Sequence, residues 1–250
     1  MERPKHGMMR AMLHTAIACE ALTRCALFNQ QFQINAVINM ALVHDSFPVG
    51  PLQCNCTVFG DTDTGEGYVF DPGGNPELIM ESVNRLGLRI VALVHTHAHL
   101  DHFLAAGAIR QQTNARICLQ KDDKFLWDAL ESQCQMFGVP YSPVPDPDHW
   151  LEHDEPLECG NGVCLHTPGH TPGSMSFYFQ NEQLLIAGDT LFLNSVGRTD
   201  LPGGNMQQLI ESIQTRLYTL DESTIVVPGH GPATTIGNEM RNNSFVTARA

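Results

Sequence analysis

The sequence predicts an α/β protein in which two sheets pack face to face and helices cover their outer sides. Short runs of β-branched and aromatic residues alternate with helical patterns from residue 40 onward, as where RIVALV (89–94) precedes FLAAGAIRQQ (103–112). The strands come early in each half of the chain and helices follow them, which is typical of a layered fold. The 250 residues are enough for one large domain or two small ones.

The hydrophobic periodicity and the turn residues define the elements. In the first half we expect strands at 41–47, 53–60, 68–70, 89–94 and 115–120, and helices at 76–87, 102–112 and 121–138. Gly87 ends the first of these helices and Asp101 is expected to cap the second. The proline-rich stretch 139–150 predicts an irregular surface loop. In the second half we expect strands at 163–169, 174–180, 183–189 and 224–230, a helix at 205–220 and a short C-terminal helix.

Residues 1–39 differ in composition from the rest of the chain. They contain two acidic residues, and their basic residues are Arg3, Lys5, Arg10 and Arg24. Residues 40–250 carry 10 basic and 25 acidic residues, a formal charge of −15. We predict that 1–39 is a poorly ordered N-terminal extension of the folded domain 40–250. It is either a stretch upstream of a functional start at Met40 or an organelle-targeting segment.

Charge and hydropathy argue against two classes of partner. The net charge of −13 disfavours a nucleic-acid surface, which needs clustered basic residues. No apolar run reaches the ~20 residues that a membrane span requires, and Glu20 and Arg24 interrupt the best candidate. We expect a cytoplasmic protein, with organelle targeting by residues 1–39 left open. The eight cysteines form no C-x-x-C pair and predict reduced, mostly buried side chains.

The stretch HTHAHLDH (95–102) concentrates four histidines and one aspartate in eight residues. On a helix, His95, His99 and His102 would share one face. In an extended loop, His97 and His99 would converge on one atom instead. The strand before the stretch and the helix after it favour the loop, at the strand end where open α/β folds hold their sites. His95 is interpreted as a core or bracing residue rather than a ligand.

Three more strand ends carry a candidate metal ligand. His170 and His230 each follow a Pro-Gly turn, and the strand in IAGDT (186–190) ends on Asp189. With the histidine stretch this makes five imidazoles and two carboxylates: His97, His99, Asp101, His102, His170, Asp189 and His230. Seven ligands are too many for one tetrahedral ion and suit two, with Asp189 as the natural bridge. Imidazole and carboxylate suit zinc, iron or manganese rather than calcium.

THAHLDH (96–102) resembles the T-H-x-H-x-D-H signature of the metallo-β-lactamase fold superfamily, and the resemblance covers roughly residues 41–245. His170, Asp189 and His230 match the remaining ligand positions of that superfamily. The fold that this resemblance implies is a four-layer αββα sandwich with the metals at one edge of the two sheets.

Two narrower stretches, SVGRTDLPGGN (195–205) and VPGHGPATTIGNE (227–239), resemble the compact glyoxalase II-like hydrolases, which keep the dimetal core without an added helical domain. The resemblance implies two divalent metal ions, zinc ahead of iron or manganese. It assigns His97, His99 and His170 to the first metal and Asp101, His102 and His230 to the second, with Asp189 as the bridge.

The implied activity is hydrolysis of a small-molecule thioester of the hydroxyacylglutathione type by a hydroxide that bridges the metals. Asp101 would both bind metal and orient the hydroxide. Arg198 either meets a substrate carboxylate through its bidentate fork or forms a structural salt bridge with Asp200. Asp71, at another strand end, is expected to support an imidazole ligand. The sequence leaves the oligomeric state open.

Other functions on the same fold are alternatives. A persulfide dioxygenase would hold one iron on His97, His170 and Asp189, and the motifs do not exclude it. RNA-processing nucleases carry an RNA-gripping insertion and a basic surface, neither of which the sequence contains. A β-lactamase is a weaker alternative, because the commonest metallo-β-lactamases have cysteine at the position of Asp189. A non-catalytic metal-binding or interaction module would bind metal without turnover.

Overall fold

The structure, a computed structural model, describes residues 42–247. The predicted N-terminal extension, 1–39, lies outside the described residues and stays a prediction. Within the described part of the chain, no helix is long and apolar enough to cross a membrane.

The first sheet contains six strands in chain order, β1 to β6. They span Leu42–Val49, Cys54–Asp61, Glu66–Phe70, Arg89–Val94, Arg116–Leu119 and His149–Trp150. The first three strands pair antiparallel, and β3 to β6 pair parallel. The carboxyl ends of β3, β4 and β5 therefore lie at one edge of the sheet.

The second sheet also contains six strands, in the order β14-β13-β10-β9-β8-β7. In chain order they are β7 (Pro156–Leu157), β8 (Gly162–His166), β9 (Met175–Phe179), β10 (Leu184–Gly188), β13 (Ile225–Pro228) and β14 (Thr234–Thr235). A separate ribbon pairs β11 (Leu191–Phe192) with β12 (Ser195–Val196). Since β9 is antiparallel to both of its neighbours and β10 is parallel to β13, the carboxyl ends of β8, β10 and β13 also share an edge.

Aromatic side chains fill the space between the two sheets. Phe59 of β2 stacks on Phe179 of β9, with 4.0 Å between ring centroids. Phe70 of β3 meets Phe177 at 5.0 Å. These contacts join the inner faces of the sheets into one buried cluster, and burial of large aromatic surface is the main force that holds such layers together.

Helices cover the two outer faces. The described α-helices are α1 (Pro76–Leu86), α2 (Leu100–Phe103), α3 (Ala106–Thr113), α4 (Lys124–Asp128), α5 (Leu130–Phe137), α6 (Met206–Ser212) and α7 (Ile236–Asn242). A π-helical segment, Ile213–Leu217, continues α6 within the predicted helix 205–220. Ile79 and Ile109 pack on the outer face of the first sheet, and Leu209 packs on that of the second. The layers therefore follow the predicted order of helix, sheet, sheet and helix, and the fold prediction is confirmed.

Two predicted helices are broken in the structure. The predicted helix 102–112 is divided into α2 and α3. The break lies at Ala105, whose amide donates to the Pro72 carbonyl at 2.9 Å instead of to a carbonyl of the helix. The predicted helix 121–138 is a 3₁₀ turn at Lys121–Asp123 followed by α4 and α5. The side chain of Gln133 donates to the Leu126 carbonyl at 2.8 Å where α4 ends. The predicted loop 139–150 is irregular until its last two residues, which form β6.

Candidate metal centre

The structure brings all seven predicted ligands to the edge where the carboxyl ends of the two sheets meet. The residues after β4 contribute His97, His99, Asp101 and His102, and the residues after β8, β10 and β13 contribute His170, Asp189 and His230. Backbone hydrogen bonds join the sheets here, from the Met175 amide to the Thr96 carbonyl and from the Asn55 amide to the Gly229 carbonyl, both at 2.7 Å. A site at this edge is thus held by both sheets.

The histidine stretch is an extended loop over residues 95–99, and helix α2 begins only at Leu100. The helical alternative for His95, His99 and His102 is therefore excluded. The prediction of Asp101 as a helix cap is wrong, because His99 occupies the cap position. Asp101 lies within α2, and its carboxylate Oδ2 lies 3.1 Å from Nε2 of His230.

Three imidazole nitrogens form a nearly equilateral triangle. His97 Nε2 lies 3.1 Å from His99 Nδ1 and 3.2 Å from His170 Nε2, and the last two atoms are 2.9 Å apart. A tetrahedral zinc with Zn–N bonds of ~2.0–2.1 Å separates its nitrogen ligands by roughly 3.3–3.4 Å. The triangle therefore has almost the dimensions of one face of such a site.

The second group surrounds His102. Its Nε2 lies 3.8 Å from Oδ2 of Asp101 and 3.5 Å from Oδ1 of Asp189. His230 Nε2 is 3.9 Å from the same Asp189 oxygen. The other oxygen of Asp189, Oδ2, lies 3.6 Å from Nε2 of His170 in the first triangle. Each carboxylate oxygen of Asp189 thus faces a different group, as a bridging ligand requires.

Three of the histidines have their second ring nitrogen held by a hydrogen bond. His170 Nδ1 donates to the Arg198 carbonyl at 2.7 Å, and His102 Nδ1 contacts Asp71 Oδ2 at 3.0 Å. His97 Nδ1 contacts the Thr96 hydroxyl at 3.0 Å, and that hydroxyl donates to Asp71 Oδ2 at 2.7 Å. These partners fix the ring orientation and leave Nε2 of each histidine for the site. Asp71 supports an imidazole, as the sequence predicts.

The electrostatics differ between the two groups. Burial lowers the pKa of His97 far below its usual value and that of His99 to about 3, and nearby imidazoles add to both shifts. Both rings are therefore neutral, with lone pairs available to a cation. Burial also disfavours charge on His102, but the carboxylates of Asp71, Asp101 and Asp189 outweigh it and raise the pKa of this ring overall. The second group thus lies in a negative environment that attracts positive charge.

These residues fit a pair of divalent cations. In the described part of the chain, His102 Nε2 and Asp189 Oδ1 are buried without a hydrogen-bond partner. A buried polar atom without a partner costs about 1–3 kcal/mol, and a cation between these two atoms would satisfy both. A Cβ atom on Gly229 would come within 2.1 Å of Asp189 Oδ1, so glycine keeps the space beside this oxygen open.

Cys54 lies next to the centre without being a convincing ligand. Its Sγ is 3.4 Å from His102 Nδ1, the nitrogen already engaged by Asp71. Burial raises the pKa of the thiol to about 12, so the sulfur is protonated, whereas metals bind the thiolate. All six cysteines in residues 42–247 are buried and free, as predicted.

His95 belongs to the core. It is fully buried, its Nδ1 lies 3.0 Å from the Cys118 carbonyl, and its ring meets Trp127 edge-on at 5.1 Å. This position agrees with the prediction that His95 is a core or bracing residue rather than a metal ligand.

A cavity of about 440 Å³ opens over the candidate centre. Its wall contains five apolar residues away from the histidine loop: Leu52, Phe137, Phe192, Val196 and Leu201. The described residues that line the cavity include one arginine, Arg198, and no lysine. Arg198 Nε and Nη2 donate to the two carboxylate oxygens of Asp200, each at 2.7 Å. Of the two alternatives for Arg198, the structure therefore has the salt bridge.

Some residues that build the site carry no signal in the sequence. Asn55 holds the loop of His230, because its side chain donates to the carbonyls of Pro228 and Gly231, both at 2.9 Å. Its place in QCNCTVFG (53–60) predicts only a strand residue. Its partners lie more than 170 positions away along the chain, so nothing in its local sequence could have indicated this role.

Comparison with known proteins identifies the family. Residues 49–230 match the profile of the metallo-beta-lactamase superfamily, and this span contains all seven predicted ligands. The chain belongs to the metallo-β-lactamase superfamily. Among the superfamily members that it resembles is hydroxyacylglutathione hydrolase GloC of Haemophilus influenzae, which is 38% identical over 207 residues. The match covers 81% of this chain and 97% of GloC.

Two solved structures of the superfamily are also similar. The crystal structure of BLEG-1 B3 metallo-beta-lactamase is 39% identical with a TM-score of 0.76, and the match covers 82% of this chain and 100% of BLEG-1. TTHA1623, crystallised in a di-iron-bound form, is 35% identical with a TM-score of 0.75, covering 81% of this chain and 100% of that one. The family and the clustered ligands together indicate a metal-dependent hydrolase.

Proposed function

We propose that this superfamily member hydrolyses small-molecule thioesters at a dinuclear zinc centre. The observation that carries the proposal is the position of Asp189, whose two oxygens face two different ligand groups. His97, His99 and His170 would hold one cation, and Asp101, His102 and His230 the other. When bound, two such cations lower the pKa of a shared water and polarise the carbonyl that it attacks.

Asp101 has a second role in the proposal. Its hydrogen bond and charge interactions with His102 and His230 outweigh burial and hold the pKa of the Asp101 carboxyl far below its usual value. The carboxylate is therefore ionised at neutral pH. Because Asp101 lines the cavity, it can accept a hydrogen bond from a water at the centre and orient that water toward the substrate.

The cavity favours a substrate with a good leaving group. Among its described lining residues there is no lysine, tyrosine or cysteine to act as an acid, and the titratable side chains other than Arg198 are proposed metal ligands. An amine leaves only when it is protonated, whereas a thiolate leaves without such help. This difference supports a thioester over an amide, in agreement with the name of the GloC relative. The similarity to BLEG-1 makes β-lactam hydrolysis the second candidate.

The proposal is tested by metal analysis and a substrate panel on protein purified without chelator. We expect about two zinc ions per chain and release of thiol from S-lactoylglutathione, with little turnover of a chromogenic cephalosporin. One iron per chain with oxygen consumption on glutathione persulfide would instead identify the dioxygenase. Bound metal with no turnover on any of these would indicate a binding module, and no metal even after reconstitution would contradict the catalytic proposal.

Asp200 is expected to limit the use of Arg198 in substrate binding. In Asp200→Asn the guanidinium loses its anionic partner at the cavity mouth. We predict that kcat/KM for an anionic glutathione thioester rises about three- to tenfold, since a free cation steers and binds the anion. For the N-acetylcysteamine thioester of the same acyl group we predict a change below about twofold, because this substrate has no charge to attract.

The matched control is Asp221→Asn, which removes an exposed carboxylate before β13, at the strand end away from the site. This variant should leave kcat/KM unchanged for both the charged and the neutral thioester. An equal rise for the charged and neutral thioesters, or a rise in the control, would contradict a role for Arg198 in recognition of the anion.

A further inference from the structure

We propose that Asp123 is a positioning residue that holds the loops 95–99 and 167–174, which carry the first histidine triangle, in register with each other. The inference rests on the metal-binding half of the proposed function. Asp123 ends the 3₁₀ turn that follows β5, so it belongs to neither of the two loops. Its place in KDDKFLWDALESQCQMFG (121–138) predicts only an ordinary helix residue.

The carboxylate of Asp123 accepts three hydrogen bonds, and their donors come from both loops. The Ala98 amide donates to Oδ2 at 3.0 Å, from between His97 and His99. The Thr171 hydroxyl donates to the same oxygen at 2.8 Å, from the residue next to His170. The Gly173 amide donates to Oδ1 at 2.6 Å. One side chain thus joins the loops that bear the three imidazoles.

These bonds are made in a closed environment. Asp123 is fully buried, and a Cβ atom on Gly173 would lie 2.7 Å from its Cγ, so the second loop rests directly on the carboxylate. Burial raises the pKa of the Asp123 carboxyl to about 6, and the donors from Thr171, Gly173 and Ala98 oppose this shift. The group is therefore ionised at neutral pH. A buried carboxylate needs hydrogen-bond donors, and here they come from the ligand loops.

A second side chain from the same region completes the support of the first loop. Gln133 Nε2 donates to the Ala98 carbonyl at 3.1 Å, and the Leu100 amide donates to Gln133 Oε1 at 3.0 Å. Both backbone groups of Ala98 are therefore fixed to the segment 121–137. Loss of the Asp123 bonds would release Thr171 and Gly173 from this segment. We expect the 167–174 loop then to shift relative to the 95–99 loop, so that the triangle of nitrogens widens.

The test compares Asp123→Asn with Asp122→Asn, which removes the same charge from the exposed neighbour. The full chain is stripped of metal, and its affinity for the first Zn²⁺ is measured by competition with a chromophoric chelator. We expect Asp123→Asn to weaken this affinity about 10–100-fold, which is the range seen when residues that support metal ligands are lost. We also expect this variant to alter the visible spectrum of the Co²⁺-loaded protein. Asp122→Asn should stay within about twofold of the original affinity.

A second pair of variants keeps the test decisive where Asp123→Asn fails to fold. Thr171→Val removes the donor hydroxyl and keeps almost the same side-chain shape, whereas Thr171→Ser retains the hydroxyl. The valine variant should bind the first Zn²⁺ about three- to tenfold more weakly, and the serine variant should restore the affinity. Thermal melting of the metal-free proteins checks that each variant is folded.

The outcomes separate the two proposals. Failure of the unaltered protein to bind metal would overturn the proposed function together with this inference. Normal Zn²⁺ affinity in folded Asp123→Asn, equal losses in Asp123→Asn and Asp122→Asn, or equal affinities in the two Thr171 variants would overturn the positioning role alone.

Discussion

Replacement of Asp189 by alanine is expected to reduce bound metal from about two ions per chain to one or fewer and to lower thioester turnover roughly a thousandfold. Oδ1 of Asp189 lies 3.5 Å from His102 Nε2, and Oδ2 lies 3.6 Å from His170 Nε2. The variant loses both contacts at once, so each ligand group lacks one anionic oxygen. Elemental analysis and kcat, measured on the same preparation, check this result.

Asp200→Ala is the control for Asp189→Ala. Asp200 is an exposed carboxylate whose two oxygens accept hydrogen bonds from the Arg198 side chain, and it forms no described hydrogen bond or ion pair with a proposed ligand. This variant should retain both metal ions. A full complement of metal in folded Asp189→Ala would show that the carboxylate does not bridge, and it would contradict Asp189 as the shared ligand of the two groups.

Replacement of Gly229 by alanine is expected to empty the second metal position while the protein remains folded. The added Cβ would lie 2.1 Å from Asp189 Oδ1 and 2.8 Å from His102 Cε1. Either the carboxylate or the ring must move, and both belong to the second group. We expect about one metal ion per chain and a loss of turnover of at least about a hundredfold, measured by elemental analysis and steady-state kinetics.

Gly231→Ala separates this effect from backbone strain in the same loop. Gly231 has φ of 76°, but a Cβ there would meet no atom within 4 Å. Alanine should cost about 1–2 kcal/mol of unfolding free energy through its left-handed conformation and leave the metal content unchanged. Equal loss of metal in the two glycine variants would mean that loop strain, rather than crowding of Asp189, explains the result.

The strands could be predicted from local pattern because their two faces have different partners. In β10, Leu184 and Ile186 face the other sheet, whereas Leu185 and Ala187 face the helices, so the whole run is apolar. The breaks in the helices could not be predicted this way. They depend on bonds from outside the helix pattern, such as Ala105 to Pro72.

The candidate ligands could be predicted because chemistry and position coincide in them. Histidine or aspartate directly after an apolar strand is visible in the sequence, and parallel strands bring such residues to one edge. The residues that hold the ligands were missed for the opposite reason. Asn55 and Asp123 are common residue types, and they act through contacts with loops distant in sequence.

The proposed ligands are also divided between the two halves of the chain. The first half supplies the residues from His97 to His102, and the second supplies His170, Asp189 and His230. A metal pair bound here would act as a reversible cross-link between the two sheets, closing a long loop that is costly to close in the unfolded chain. Occupancy at a hundred times Kd would add about 2.7 kcal/mol to the unfolding free energy per ion. The unfolding free energy of the fold would then rise and fall with the concentration of free metal.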